Sequence, residues 1–302
     1  MSNAIFTSVL LPLALIIIMT SLGVALTLTD FKRVLVYPKG VAIGLGNLLL
    51  ISPALAFSMA WLFKLPPELA VGVVLLGAAP GGTMANMLTH LARGDTALAV
   101  TMTAVSSALS VITVPIFLSV AITLFMSGDG APPTPALGPI VLKILMITLV
   151  PLSFGMLIRA QFPPLAARLE KPLKKLAIGF FVLVVAAAIY AEFNNLLGYL
   201  GSVGPAVVAL NVLAMSIGYG CARAGRLNSR QSTAVAIELG VHNTTLSMAV
   251  GGMVSVAMTV PGAVYGTFMF VTAGLFAWYM GRRNSATQPI GLSETTIPSA
   301  SA

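Results

Sequence analysis

The stretch AIELGVHNTT, residues 236–245, places a carboxylate, an imidazole, an amide and two hydroxyls within an apolar part of the sequence. Glu238 and His242 lie four positions apart, so they would share a face of an unbroken helix. Gly240 lies between them and favours a break in that helix. Backbone groups freed by a break inside a membrane must be satisfied by protein, water or ions. Freed carbonyls, together with oxygens of Glu238 and Asn243, would form a site for a small, hard cation.

Glu238 also has a less specific interpretation. A charge at the centre of a bilayer costs from about 2.5 to well over 10 kcal/mol, so an intramembrane carboxylate is by default a functional hypothesis. A protonated glutamate that is hydrogen-bonded inside a helical bundle would avoid that cost. For His242 alone, a buried neutral histidine with a partner is a simpler interpretation than a proton relay. The neighbouring Asn243 and Thr244 favour a functional site.

A second polar cluster lies in LLGAAPGGTMANMLTH, inside the third apolar run of the chain. Proline removes a helical hydrogen-bond donor and two glycines follow it, so Pro80, Gly81 and Gly82 predict a second break. Thr83 and Asn86 come directly after it, where a new half-helix would begin. The unpaired amides and the dipole of such an N-terminus favour an anion.

The composition shows which kind of element holds these clusters. Of 302 residues, 58% are hydrophobic and 8% are charged, and the mean hydropathy is +1.00, as in integral membrane proteins. A helix needs about 20 mostly apolar residues to cross the hydrocarbon core. We predict nine such spans, near 4–26, 38–62, 67–92, 96–127, 137–159, 173–193, 203–223, 229–252 and 257–281. They form a single all-α transmembrane domain over 1–283, followed by a disordered cytoplasmic tail over 284–302.

Lysine and arginine residues test this span count, because they gather in cytoplasmic loops. With nine spans, all 16 of them except Lys64 and Lys143 lie in loops or span ends on one side. That side is predicted to be the cytoplasm, so the amino terminus would lie outside and the carboxyl terminus inside a cell's inner membrane. The net charge of +8 follows from this topology, and no nucleic-acid partner is expected.

The two broken spans occupy related places in the predicted topology. The third span would run from outside to inside and the eighth from inside to outside, and each is followed by one last span of its half. Discontinuous helices at corresponding places in oppositely oriented halves are typical of an inverted-repeat secondary transporter with its site at the midplane. The halves have four and five spans, so one helix of the ancestral repeat would be missing. Such transporters rock one bundle against the other.

The chain resembles the bile acid:sodium symporter family in three segments: SLGVALTLTDFKRV (21–34), PPELAVGVVLLGAAPGGTMANMLTHLARGDTALAVTMT (66–103) and AIELGVHNTTLS (236–247). Family members that lack the first of ten helices match the nine spans counted here. The resemblance implies a panel domain, here the spans near 4–26, 137–159 and 173–193, packed against a core domain that contains both crossed helices. It also implies sodium-driven uptake of a small organic anion, such as a bile acid, a pantoate-like acid or a 2-oxo acid.

Residues for a first sodium site also follow from the resemblance. It assigns Asn86, Thr103 and Glu238 to this site. Two serines that usually contribute are replaced here by Ala85 and Ala99. Since sodium needs several oxygen ligands, each replacement removes one that water would have to supply.

A second sodium site is implied with fewer of its usual residues. The backbone carbonyls of Leu239 and Val241 can still contribute, but Leu48 and His242 stand where glutamines are usual, with Asn47 adjacent to the first of them. We therefore expect either fewer coupled sodium ions than in relatives or partial coupling to protons through Glu238 and His242. Histidine titrates near physiological pH, which suits a proton carrier. Apart from co-transported Na⁺, no cofactor and no resident metal are expected.

The substrate site is expected at the same crossing. Thr83, Asn86, Asn243 and Thr244 could bind a carboxylate together with a half-helix N-terminus. No intramembrane lysine or arginine is expected as a counter-ion near the crossing, which favours a monoanion or an anion whose charge is partly compensated by the bound cation. A group of apolar side chains could line a cavity there or pack in the core: Met84, Met87, Met248, Met253, Met258 and Phe270.

Other classes of membrane protein fit less well. An intramembrane diaspartyl protease needs two acids, and only Glu238 lies well within a span; HExxH is absent from the sequence. A receptor that uses the same pocket without translocation remains an alternative.

Overall fold

A computed structural model describes residues 9–127, 137–191 and 196–286, and every regular element in these ranges is a helix. The first six helices are α1 Leu11–Ala25, α2 Leu28–Lys32, α3 Pro38–Leu62, α4 Pro67–Ala78, α5 Thr83–Leu91 and α6 Thr96–Phe125. The next six are α7 Leu137–Gln161, α8 Pro163–Ala191, α9 Leu196–Ala224, α10 Ser229–Gly240, α11 Thr244–Gly252 and α12 Val260–Ala286. The predicted all-α class is therefore confirmed for the described residues.

Several helices of the described ranges can cross a membrane. Five stretches are long and apolar enough to do so: Pro38–Leu62, Thr96–Phe125, Ile144–Gln161, Leu200–Ala224 and Val256–Ser285. A sixth results if Pro12–Ala25 is joined to Thr29–Leu35, which bends away by 67°. The other three predicted spans are the two broken ones and α8, whose first half is charged. A multi-pass membrane protein is thereby confirmed, while the count of nine spans stays a prediction.

The two broken spans have matching halves. Helix α4 has 12 residues and α5 has nine, and α10 and α11 have the same two lengths. The first break covers Ala79 to Gly82 and so includes the Pro-Gly-Gly sequence. The second break begins after Gly240, which is still the last residue of α10, and covers Val241 to Asn243. We expected the break at Gly240, and it begins one residue later.

Contacts between helix ends agree with the alternation of sides in the predicted topology. At one end, the Ser255 hydroxyl donates a hydrogen bond of 2.6 Å to Glu68. At the other end, Arg230 Nε donates to the carbonyl of Arg93 at 2.9 Å. Asn284, expected to open the tail, is buried there instead, since α12 continues to Ala286. Residues 287–302 of the predicted tail lie outside the described residues.

Burial separates the crossed helices from the outer ones. Helix α4 is buried at every position from Leu69 to Ala78, and α10 at every position from Ser232 to Gly240. Helix α4 is apolar all round, as expected for a helix in a protein interior, whereas α10 also buries Ser232, Thr233 and Glu238. Large exposed apolar side chains on α7, such as Val150 and Phe154, suit contact with lipid instead.

Two glycines allow α1 and α7 to approach closely. A Cβ atom on Gly23 would overlap the carbonyl oxygen of Leu152, and one on Gly155 would come within 2.5 Å of the carbonyl oxygen of Thr20. Small residues at such a contact let helix backbones pack directly inside a membrane. Both helices belong to the predicted panel domain, so this contact fixes their relative position.

We predict that Gly23→Ala lowers the thermal unfolding temperature in detergent, because overpacking of a tight contact costs about 1–3 kcal/mol. Gly274→Ala is the matched control, since a Cβ atom there meets no heavy atom within 4 Å. The control should be neutral or slightly stabilising, because alanine favours the helix. Equal unfolding temperatures for the two variants would contradict the close contact.

Candidate functional site

The two breaks meet each other in the interior of the protein. Gly82 N–H donates to the carbonyl of Val241 at 2.7 Å, and Asn243 N–H donates to the carbonyl of Pro80 at 2.8 Å. Gly81 and His242 form an isolated antiparallel bridge between these bonds. Buried backbone groups need partners, and in this way each break satisfies groups that the other has freed.

Glu238 lies against the first break. Its side chain is fully buried, near the carboxyl end of α10. A Cβ atom on Gly81 would overlap the Glu238 carboxyl group. Glycine at position 81 is therefore needed for close approach as well as for the break.

Asn86, Thr103 and Glu238, predicted as a first sodium site, lie together. The Thr103 hydroxyl contacts Glu238 Oε1 at 2.7 Å and Asn86 Oδ1 at 3.3 Å. Ala85 and Ala99 are fully buried and offer no side-chain oxygen. Glu238 Oε2 is also buried and has no hydrogen-bond partner among the described residues. Burying a carboxylate is costly unless a cation or a proton compensates it, so this site favours one or the other.

His242 is held by a separate network on the other side of the break. Its Nε2 lies 2.9 Å from Ser52 Oγ, and its Nδ1 lies 2.9 Å from the Tyr265 hydroxyl. Ser52 donates to the carbonyl of Gly77 at 2.8 Å. Asn211 Nδ2 contacts the Tyr265 oxygen at 2.9 Å.

One assignment of hydrogens satisfies this whole network with a neutral imidazole. His242 Nε2–H donates to Ser52, and the Tyr265 hydroxyl donates to Nδ1. Asn211 then uses its two hydrogens for the Tyr265 oxygen and for the carbonyl of Gly240, which is 2.7 Å away. Both ring nitrogens of His242 are thus engaged, so its side chain has no free lone pair for a sodium ion.

A cavity of about 330 Å³ lies beside the crossing. Both breaks and the helices that follow them line it, through Gly82 and Met84 for the first and Asn243 and Thr244 for the second. Asn243 Oδ1 caps α11 by accepting from Leu246 N–H at 3.1 Å, which leaves the Asn243 amide hydrogens for a ligand. Thr83 begins α5, whose N-cap Gly82 has no side-chain capping bond. Uncapped amides at a helix N-terminus favour an anion.

Known proteins are similar in sequence to this chain over most of its length. The family model for the sodium bile acid symporter family matches residues 12–198. The chain belongs to this family. YocS, an uncharacterized sodium-dependent transporter of Bacillus subtilis, is 30% identical over 88% of this chain and 81% of its own length.

Further relatives in the sodium bile acid symporter family come from plants and animals. A probable chloroplastic sodium/metabolite cotransporter of Arabidopsis thaliana is 30% identical over 78% of this chain and 57% of its own length. The rat hepatic sodium/bile acid cotransporter is 27% identical over 87% of this chain and 71% of its own length. The chain thus spans little more than half of the plant relative. These relatives are named as transporters, in agreement with a non-enzymatic membrane protein.

Several residues predicted for the second sodium site already have other partners, unlike Glu238 Oε2 of the first site. The Val241 carbonyl already accepts from Gly82, and Leu48 packs in an apolar cluster with Leu239. Asn47 lies in a π turn, Asn47–Ile51, inside α3, and its buried Oδ1 has no partner among the described residues. π turns are frequent at functional sites, so Asn47 is a better candidate ligand than Leu48.

Several site residues could not be found by sequence reasoning. Ser52, Asn211 and Tyr265 are ordinary residues far from His242 in the chain. Glu170 and Lys174 line the cavity because α8 begins at Pro163, well before the predicted start near 173. Their spacing of four residues, which places both on one helix face, was the available signal. Lys174, which we expected only at a cytoplasmic span end, thus lines the cavity beside the crossing.

The apolar residues proposed for the cavity divide into two groups. Met84 and Phe270 line it, and Met248 and Met258 are buried in the core. Met253 packs against the same core, and Met87 is exposed.

We predict that Tyr265→Phe lowers the thermal unfolding temperature in detergent, because it leaves buried groups of the network unpaired at a cost of about 1–3 kcal/mol. Tyr219→Phe is the matched control, since the buried Tyr219 hydroxyl has no partner among the described residues. That variant should be neutral or stabilising. A loss of stability in the control but not in Tyr265→Phe would show that the network is wrongly assigned.

Proposed function

We propose that this protein is a sodium-coupled symporter of a small organic anion. Its family membership supports sodium-dependent transport, and one observation carries the residue assignment. Glu238 has a buried carboxylate oxygen without a protein partner, beside the side-chain oxygens of Asn86 and Thr103. Carboxylate, amide and hydroxyl oxygens are the ligands that a hard cation prefers.

A single sodium ion per cycle is the stoichiometry that the site supports best. The first site keeps three of its expected side chains, although Ala85 and Ala99 supply no oxygen. The second site loses the side chain of His242 to the network with Ser52 and Tyr265. Asn47 Oδ1 and the carbonyls of Leu239 and Val241 then remain for the second site, and the Val241 carbonyl already accepts from Gly82.

The organic anion would bind in the cavity beside the crossing. Asn243 and Thr244 line it, and Thr83 begins the uncapped helix α5 next to it. Asn86, also predicted to bind the anion, does not line this cavity but contacts Thr103 beside Glu238, so we assign it to the cation. A volume of about 330 Å³ is at the low end of ligand pockets, which span about 300–1,000 Å³. It therefore favours a pantoate-like or 2-oxo acid over a bile acid.

Alternating access would use the boundary on which this cavity lies. Helices α1 and α8 line one wall, and the breaks and α12 line the other. We assign α1, α7 and α8 to a panel domain and the other helices to a core domain, in a nine-span topology with the amino terminus outside. Rocking of these domains would open the cavity to each side in turn.

We predict that Glu238→Gln abolishes sodium-driven uptake of pyruvate, 2-oxoisovalerate and pantoate into proteoliposomes. It should also abolish the rise in unfolding temperature that sodium, but not potassium, gives the purified wild-type protein, since ligands stabilise the state that they bind. Glu68→Gln is the control, because Glu68 bonds to Ser255 at the outer end of α4. A sodium-specific rise that persists in Glu238→Gln would overturn the cation assignment.

For the sodium dependence of wild-type uptake, we predict a Hill coefficient of about 1, since that coefficient cannot exceed the number of coupled sites. Initial uptake rates measured over a sodium titration, at constant ionic strength, test this. A coefficient clearly above 1 would contradict a single sodium ion.

Proton coupling is the second candidate, and the His242 network can accommodate it. A doubly protonated imidazole would also be satisfied if the Tyr265 hydroxyl turned to the Gly240 carbonyl, which is 3.0 Å away. Uptake driven by a sodium gradient without a pH gradient, compared with the reverse, separates the two. Uptake driven by the pH gradient alone and lost in His242→Gln would establish this second candidate.

A further inference from the structure

The cavity beside the crossing has a charged wall that belongs to α8. Glu170 and Lys174 are the ionisable residues of this helix that line it, opposite Asn243 and Thr244 of the second break. His242 is the other ionisable residue of the lining, and the neutral form satisfies its network. The described lining therefore contains one carboxylate and one ammonium group.

Arg159 neutralises the carboxylate of this pair. Its Nη1 lies 3.4 Å from Glu170 Oε2. No ion pair joins Lys174 to a carboxylate in the part of the chain that the structure describes. A glutamate four residues before a lysine on a helix is placed where it can pair with that lysine. Arg159 thus holds Glu170 and leaves the ammonium group of Lys174 available.

The remaining surroundings suit an anion with a small apolar body. Ile18, Leu22, Ile178 and Phe270 form an apolar part of the wall. A positive charge beside such low-dielectric walls attracts an anion more strongly than it would in bulk water. One uncompensated lysine matches one carboxylate, and the donors of Asn243 and Thr244 can share its oxygens.

We propose that Lys174 is the counter-ion of the transported anion and that Arg159 keeps it available by pairing with Glu170. The substrate class is then a small monocarboxylate with an apolar body. This inference rests on the proposed anion transport. It concerns Lys174, which belongs to the panel domain and is not part of the sodium site. In this proposal a protein side chain, together with the bound cation, compensates the substrate's charge.

Equilibrium binding to the purified full chain tests this proposal. The protein is placed in phosphatidylcholine nanodiscs with saturating sodium, and calorimetry measures the dissociation constants of 2-oxoisovalerate, pantoate and the neutral ketone 3-methyl-2-butanone. Lys174→Gln should weaken binding of the two carboxylates about tenfold, as for loss of one charge-assisted hydrogen bond. It should leave the sodium affinity and the unfolding temperature unchanged. Lys174→Arg should retain most of the affinity, and the ketone should not bind to any variant.

Two further sets of variants separate this role from a general effect of charge. Lys174 and Lys175 are both exposed, but only Lys174 lines the cavity, so carboxylate binding should be unchanged in Lys175→Gln. Arg159→Gln should weaken binding, because Glu170 would then pair with Lys174. The double variant Arg159→Gln/Glu170→Gln should restore it.

The outcomes distinguish this inference from the proposed function. Carboxylate binding to wild type that is unchanged in Lys174→Gln overturns the inference alone, as expected for a lysine that serves only lipid headgroups. Equal losses in Lys174→Gln and Lys175→Gln also overturn it. If neither carboxylate binds to the wild-type protein, the proposed function fails with it.

Discussion

The hydrogen bonds between the two broken helices are the constraint on which the site depends. An apolar interior offers no water to unpaired backbone groups, so a helix can end there only if another group meets its freed amides and carbonyls. Here the bonds from Gly82 to Val241 and from Asn243 to Pro80 meet this requirement. The crossing also fixes the surroundings of Glu238, since its carboxyl group occupies the space that a side chain at Gly81 would need. The two broken helices thus position both the Glu238 carboxyl group and the cavity.

The two sides of the second break have different chemistry. Glu238 has an oxygen that no described protein group satisfies, and an unmet polar group of this kind marks a place for a cation or a proton. His242 has partners at both nitrogens, and its network ties α3, α10 and α12 together through Ser52, Gly240 and Tyr265. Replacement of a cation-binding residue by a satisfied histidine would keep this region rigid without an ion. In this account, a change in coupling stoichiometry follows from packing rather than from the loss of the crossing.

The sequence predicts features that depend on local chemistry, and it misses those that depend on distant contacts. Long apolar runs and the Pro-Gly-Gly sequence predicted most helix positions and the first break. Resemblance to a family assigned Asn86, Thr103 and Glu238 to one site, although Thr103 and Glu238 are 135 residues apart in the sequence. Nothing local marks Tyr265 as a partner of His242. Lys174 was not predicted to line the cavity, because the charged residues before position 173 concealed a helix that begins at Pro163. Gly240 is the last helical residue of α10, and its lack of a side chain allows close contact with Met215.

Equilibrium binding of radioactive ²²Na⁺ to the purified protein tests the central claim, that the Glu238 carboxylate holds the transported cation, most directly. The account predicts one saturable sodium site that unlabelled sodium displaces and potassium does not. It also predicts that this site is lost in Glu238→Gln and weakened in Thr103→Val, which removes the hydroxyl that contacts Glu238 Oε1. Sodium binding of unchanged affinity and stoichiometry in Glu238→Gln would contradict the account.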